Sequence, residues 1–172
     1  SSKIVTPNPY AFSKKLAEDA CRFYSEMFGI QVTILRPFNV YGPGQDDKFL
    51  IQSIIHQVLN SSFINVKDLE PKRDYVYIDD LVDAIIKGIS YNKLFGIFNI
   101  GSGISYSVND IIVSIQEITK TNLEVKSEGI RRPNEIMNTI ADISLAKSEL
   151  NWKPQYSLHD GLSLIIKSMS PL

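Results

Sequence analysis

Apolar residues recur along this chain at two spacings, and their alternation predicts its elements. Between Pro9 and Phe28 the residues Tyr10, Lys14, Ala17, Cys21, Tyr24 and Phe28 follow a three-to-four spacing, so they share one helix face. Asn8 is placed to cap that helix, Pro9 to occupy its first turn and Gly29 to stop it. "IQVTILRPF" (30–38) is mainly β-branched and apolar, the pattern of a buried strand. "NVYGPGQDD" (39–47) reads as a Gly/Pro loop. Residues 48–60 predict a helix and "FINV" (63–66) a short strand. "KDLEPKR" (67–73) is a charged connection leading into the strand "DYVYI" (74–78). Asp79 or Asp80 is expected to cap a helix running to about Ser90, because acidic side chains stabilise helix N-termini. "GIFNIGSG" (96–103) is a strand ending in a Gly-rich turn. Ser107 and Asp110 have the spacing of a capping box for a helix reaching Thr119. "LEVKS" (123–127) is a further strand, and helices follow at 143–150 behind Asp142 and at 158–168 behind Ser157. Trp152 is expected to pack these last helices together. Strands alternating with helices, without repeats, give an α/β class.

Composition narrows the partners. The 172 residues are 44% hydrophobic and 22% charged, enough to bury a core in one domain or parts of two. The net charge of −1 leaves no basic stripe, which argues against nucleic acid. Cys21 is the one cysteine, so neither an internal disulfide nor a thiolate metal cage is available. His56 and His159 stand in separate segments without ligand spacing, and no metal site is expected. No apolar run approaches the ~18 residues of a membrane span and no signal peptide is visible, so a reducing, cytoplasmic setting is expected.

The spacing of Tyr10 and Lys14 places the two side chains next to each other. A phenol loses its proton near pH ~10, and a neighbouring ammonium favours the phenolate. A tyrosine tuned in this way can take a proton from a substrate hydroxyl. The same pair also fits a packed tyrosine beside a snorkelling lysine.

The surroundings of the pair add to this. "PYAFSKKLAED" (9–19) resembles the catalytic helix of the extended short-chain dehydrogenases/reductases, and within them the NAD-dependent nucleotide-sugar epimerase/dehydratase family. "LRPFNVYGPGQ" (35–45), "RDYVYIDDLVDAI" (73–85), "FNIGSG" (98–103), "RRPNE" (131–135) and "ADISLAKSELNWKPQYSLHDGL" (141–162) resemble further motifs of that family, in its order.

The resemblance implies the acid/base role for Tyr10 and, for Lys14, binding of the nicotinamide ribose and tuning of the tyrosine. It implies NAD as cofactor, with NADP as the alternative, and transient hydride removal from the sugar of a nucleoside-diphosphate sugar. Pro37 and Phe38 would lie beside the nicotinamide, and Asn39 would offer its amide to the substrate. Their place suits ligand binding beyond the carboxyl ends of strands in an open α/β sheet. Arg73 and Arg132 would hold the nucleotide pyrophosphate, since a guanidinium fork matches phosphate oxygens. Arg131 precedes the motif position. Glu135 would reach the ribose, on a longer arm than the aspartate usual in the family, and Asn134 would replace a glycine. Asn99 ends a strand and faces either the ligand or the core edge. "KDLEPK" departs from the Gly-rich turn usual before Arg73, so base and sugar contacts are not carried over onto residues 63–72.

Two parts that the family uses are not in this sequence. No Gly-rich dinucleotide turn occurs, and Ser1, Ser2 and Thr6 lie too close to Tyr10 to serve as the third catalytic residue. The chain is therefore expected to be the C-terminal part of a longer enzyme and inactive by itself. Residues 1–42 and 74–100 would be the remnant of a Rossmann parallel sheet, and 43–73 with 101–172 the smaller α/β nucleotide-sugar domain. A homodimer or other self-association is expected from the face of the first helix. The alternatives are an NAD(P)H-dependent reductase of the same superfamily and a non-catalytic sugar-nucleotide-binding module.

Overall fold

A computed structural model describes residues 8–133 and 135–169. Ser1, Ser2, Thr6 and Asn134 lie outside the described residues. Helix α1 runs Pro9–Phe28, with the Asn8 carboxamide accepting from the Ala11 N–H at 2.8 Å and Gly29 closing its end at φ +67°. There follow β1 (Val32–Pro37), β2 (Asn39–Tyr41), α2 (Leu50–Asn60), β3 (Phe63–Val66), β4 (Lys72–Tyr77) and α3 (Ile78–Ile89). The chain continues through β5 (Phe95–Ile100), β6 (Ser105–Ser107), α4 (Val108–Thr119), β7 (Glu124–Ser127), α5 (Ser144–Glu149) and α6 (Leu158–Met169).

Three small sheets organise these elements. β1 pairs with β5 in parallel, Pro37 opposite Ile100, so both strands end at the same level. β4 lies between β2, parallel to it, and β6, antiparallel to it. β3 and β7 pair in parallel. One core gathers Ile51, Ile54 and Ile55 of α2, Ile111, Ile112 and Ile115 of α4, and Leu162 and Ile165 of α6 over Ile64 and Tyr77. A second gathers Val76, Ala84, Phe98, Ile100, Ala146 and Trp152. The capping box at Ser107 and Asp110 forms as the spacing predicts.

Several local expectations are corrected by tertiary partners. The loop expected at 39–47 begins as β2, because Asn39 and Tyr41 pair with Tyr75 and Tyr77. β4 starts at Lys72, inside the charged connection, where β6 and an isolated bridge to Asn138 supply partners. Neither Asp79 nor Asp80 caps α3, whose N-cap position is Tyr77 without a side-chain bond. The Asp80 carboxylate is buried instead and accepts the Gln155 and Tyr156 N–H groups at 2.8 and 3.2 Å. Burial holds the Asp80 carboxyl above the usual range for an aspartate. Asp142 stands one residue ahead of the α5 cap position and accepts from the Ser144 N–H at 3.0 Å. Trp152 packs among α3, β5 and α5, not between the last two helices, and donates its indole N–H to the Asp80 carbonyl at 3.0 Å.

The shared face of α1 is turned outward. Tyr10, Lys14, Ala17, Tyr24 and Phe28 are exposed, and the covered line runs through Ala11, Lys15, Glu18, Cys21 and Ser25. Arg36 of β1 grips Glu18, Nε to Oε1 at 2.7 Å, and the Ser25 hydroxyl donates to the Leu94 carbonyl at 3.0 Å. The first of these polar attachments ties α1 to β1 and the second ties it to the residue before β5.

Candidate functional site

Tyr10 and Lys14 occupy the first turns of α1, where Asn8 and Pro9 start the helix. The Lys14 Nζ stands 5.4 Å from the centre of the Tyr10 ring, and Tyr10 is 71% exposed. The phenol is thus accessible, with a cation at its side.

Pro37 and Phe38 stand at the carboxyl end of β1, where the Phe38 N–H donates to the Ile100 carbonyl at 2.9 Å. Pro37 is exposed, and Phe38 packs partly against the second core. The Asn39 amide donates to the Asp74 carbonyl at 2.9 Å, and the Asn99 amide to the Asp142 carbonyl at 3.2 Å. Asn99 is held near the carboxyl end of β5, and Asn39 opens β2 two residues beyond the carboxyl end of β1, the level at which open α/β sheets bind ligands.

Asp74 ties this end together. Its carboxylate is fully buried and accepts the N–H groups of Ser102, Gly103 and Ala141 at 2.6, 2.9 and 3.0 Å. The Ser102 hydroxyl also donates to it, at 2.8 Å. The turn after β5 needs glycine for this approach: a Cβ on Gly101 would lie 2.5 Å from the Ala141 Cβ and 2.9 Å from Asp74 Oδ2.

A groove of about 480 Å³ runs between α2, the β3–β4 connection and the segment 128–135. It brings Arg73, Arg132 and Glu135 together from stretches far apart in sequence. Arg73 pairs with Glu135 and donates to the Ile136 carbonyl at 2.6 Å. Lys48 and Lys67, which sequence reasoning missed, add positive charge, and Tyr75 forms part of the wall. Burial pushes the Tyr75 phenol up to about 12, so it is a neutral hydrogen-bonding group at ordinary pH. Tyr10, Lys14, Asn39 and Asn99 are not among the groove's lining residues. "KDLEPK" carried the missed signal, a lysine and acids where a plain turn needs none.

A family model described as GDP-mannose 4,6 dehydratase matches residues 2–165. The chain belongs to that family. It is 28% identical to the GDP-6-deoxy-D-mannose reductase of Pseudomonas aeruginosa, over 92% of this chain and 55% of the relative. It is 35% identical to an uncharacterized UDP-glucose epimerase, YtcB, of Bacillus subtilis, over 96% of this chain and 52% of the relative. Among solved structures, the UDP-glucuronic acid 4-epimerase of Bacillus cereus, in complex with UDP-glucuronic acid and NAD, superposes with a TM-score of 0.83 at 30% identity. That match covers 99% of this chain and 58% of the epimerase. The chain spans about half the length of the curated relatives it matches. Family members are nucleotide-sugar epimerases, dehydratases and reductases, and the α/β fold with parallel sheets is theirs.

Proposed function

We propose that this chain is the C-terminal part of an NAD-dependent nucleoside-diphosphate-sugar epimerase, or of a dehydratase, acting in a reducing cytoplasm. The observation that carries the reading is the groove in which Arg73, Arg132, Lys48 and Lys67 converge, beside a sheet end holding Asn39 and Asn99. Guanidinium forks and ammonium groups in one cleft suit a diphosphate. Tyr10 takes the proton of the sugar hydroxyl, and Lys14 at its side orients it and binds the nicotinamide ribose. Pro37 and Phe38 fit one side of a nicotinamide, whereas among the described residues no Gly-rich turn opens a helix toward a pyrophosphate. NAD, when bound, supplies the hydride acceptor. Residues 1–42 and 74–100 belong in this reading to the cofactor domain, and 43–73 with 101–172 to the substrate domain.

The chain alone is proposed to be inactive and to bind NAD weakly, which calorimetry tests; micromolar binding would count against it. The outward apolar face of α1, with Phe12, Leu16, Phe23 and Met27 exposed, supports a homodimer or other self-association. Sedimentation that stays monomeric at all concentrations would refute this. The likeness to a GDP-6-deoxymannose reductase favours one second reading, a reductase with net consumption of NAD(P)H.

The deciding experiment is Tyr10→Phe in the longest natural gene product, assayed with UDP-, GDP- and dTDP-sugars. Turnover should fall by about 100-fold or more while substrate binding stays within a few-fold. Full activity in that variant would remove Tyr10 from the mechanism.

A further inference from the structure

The charged connection between β3 and β4 does something that a Gly-rich turn could not. It carries Asp68 and Glu70, and both reach one guanidinium on the neighbouring segment. Arg131 Nε lies 2.9 Å from Asp68 Oδ2, and its terminal nitrogen Nη2 lies 2.7 Å from Glu70 Oε2. The Arg131 guanidinium holds the Asp68 carboxyl below the usual range. Beneath this fork the backbones are already laced: the Glu128 N–H donates to the Val66 carbonyl and the Ile130 N–H to the Lys67 carbonyl, each at 2.9 Å. Arg131 thus closes an extension of the β3–β7 ladder. It does not line the groove, but the next residue, Arg132, does, and so does Lys67 on the opposite strand. Among the described residues Arg132 enters no ion pair. Pro133 restricts the Arg132 backbone to extended conformations.

We propose that Arg131 is a positioning residue of the nucleotide site: Asp68 and Glu70 grip its fork and so fix, against each other, the two strands that present Arg132 and Lys67 to a nucleoside diphosphate. This rests on the reading of the groove given above. Arg131 commits its Nε and Nη2 to two carboxylates and stands outside the groove lining, so its contribution is geometric. A cation held in place before binding loses less conformational freedom when the ligand arrives.

The test is calorimetric binding of UDP, GDP and dTDP to the protein, its Glu70→Gln and Arg131→Gln variants, and the double variant. Glu70 is exposed and outside the groove lining, so its substitution leaves the fold intact, as circular dichroism would verify. Charge alone predicts that removing this carboxylate tightens a dianionic ligand. The clasp predicts the opposite: Glu70→Gln binds about three- to tenfold more weakly. The double variant binds no more weakly than Arg131→Gln alone, because both changes break one device. A Glu70→Gln variant that binds as tightly as the wild type, or tighter, overturns the clasp and leaves the groove reading standing. A wild-type protein that binds none of the three diphosphates overturns the groove reading, and the clasp with it.

Discussion

Replacing Asp74 with asparagine keeps the shape of the side chain and changes one oxygen into a donor. Each Asp74 oxygen serves two donors: Oδ1 the Ser102 N–H and hydroxyl, Oδ2 the Gly103 and Ala141 N–H groups. Whichever way the amide lies, two of these four donors meet an NH2 group. The pocket is closed to water, so an N–H that faces the NH2 group loses its partner. With the NH2 group toward Ser102 that is the Ser102 N–H alone, because the hydroxyl donates to the Ile104 carbonyl at 2.9 Å and accepts from the amide. At about 1–2 kcal/mol for a buried donor left unmade, the variant should lose about 1–2 kcal/mol. For a chain of this length that is a fall in melting temperature of roughly 3–8 °C. Differential scanning fluorimetry measures the loss, and hydrogen exchange locates it at the amides of Ser102, Gly103 and Ala141. Asp74→Asn melting within about 2 °C of the wild type, with those amides still protected, would show that the carboxylate is not the tie that holds the turn.

Two further outcomes are expected. Arg36 holds the Glu18 carboxyl below its ordinary range, and the Ser107 N–H does the same for Asp110. Depressed carboxyl groups stabilise the fold fully above their unfolded values near pH ~4 and lose that contribution as the pH falls through the folded ones. The urea midpoint should therefore drop between about pH 5 and pH 2, less steeply in Glu18→Gln, and a midpoint flat across that range would contradict the assignment. Glu135→Gln should tighten nucleoside-diphosphate binding by about two- to fivefold, because it frees the Arg73 fork; weaker binding would instead assign Glu135 to the ligand.

What the sequence made legible was local. Helices α1, α2, α4 and α6 declare themselves by period, and the Ser107 capping box by spacing, because both depend on neighbours within one or two turns. The three-residue strands β2 and β6 do not: they exist because β4 lies between them. Asp80 has the look of a helix cap, yet its donors come from Gln155 and Tyr156, on a segment that only the fold brings near. The period of α1 identifies a common face but not what that face meets, and here it meets solvent. In the groove, the motif residues Arg73 and Arg132 were legible one at a time; the pairing of Arg73 with Glu135 was not, since these residues lie 62 positions apart.

A net charge of −1 argues against a polyanion partner, but it does not argue against a phosphate site. Net charge governs the far field, which salt screens within about 10 Å, whereas a diphosphate is held by contacts inside that distance. The groove holds Lys48, Lys67, Arg73 and Arg132 against Asp68, Glu128 and Glu135, so its lining is close to balanced too. The balance is not evenly distributed. Glu135 is committed to Arg73, Asp68 to Arg131 outside the lining, and Glu128 accepts from the Asn65 amide at 3.1 Å. Arg132 and Lys67 line the groove and remain without an ion pair among the described residues. The carboxylates of the lining are already engaged, and these two cations are not. If the groove takes a diphosphate as proposed, the commitment of each acid matters more than the count of charges.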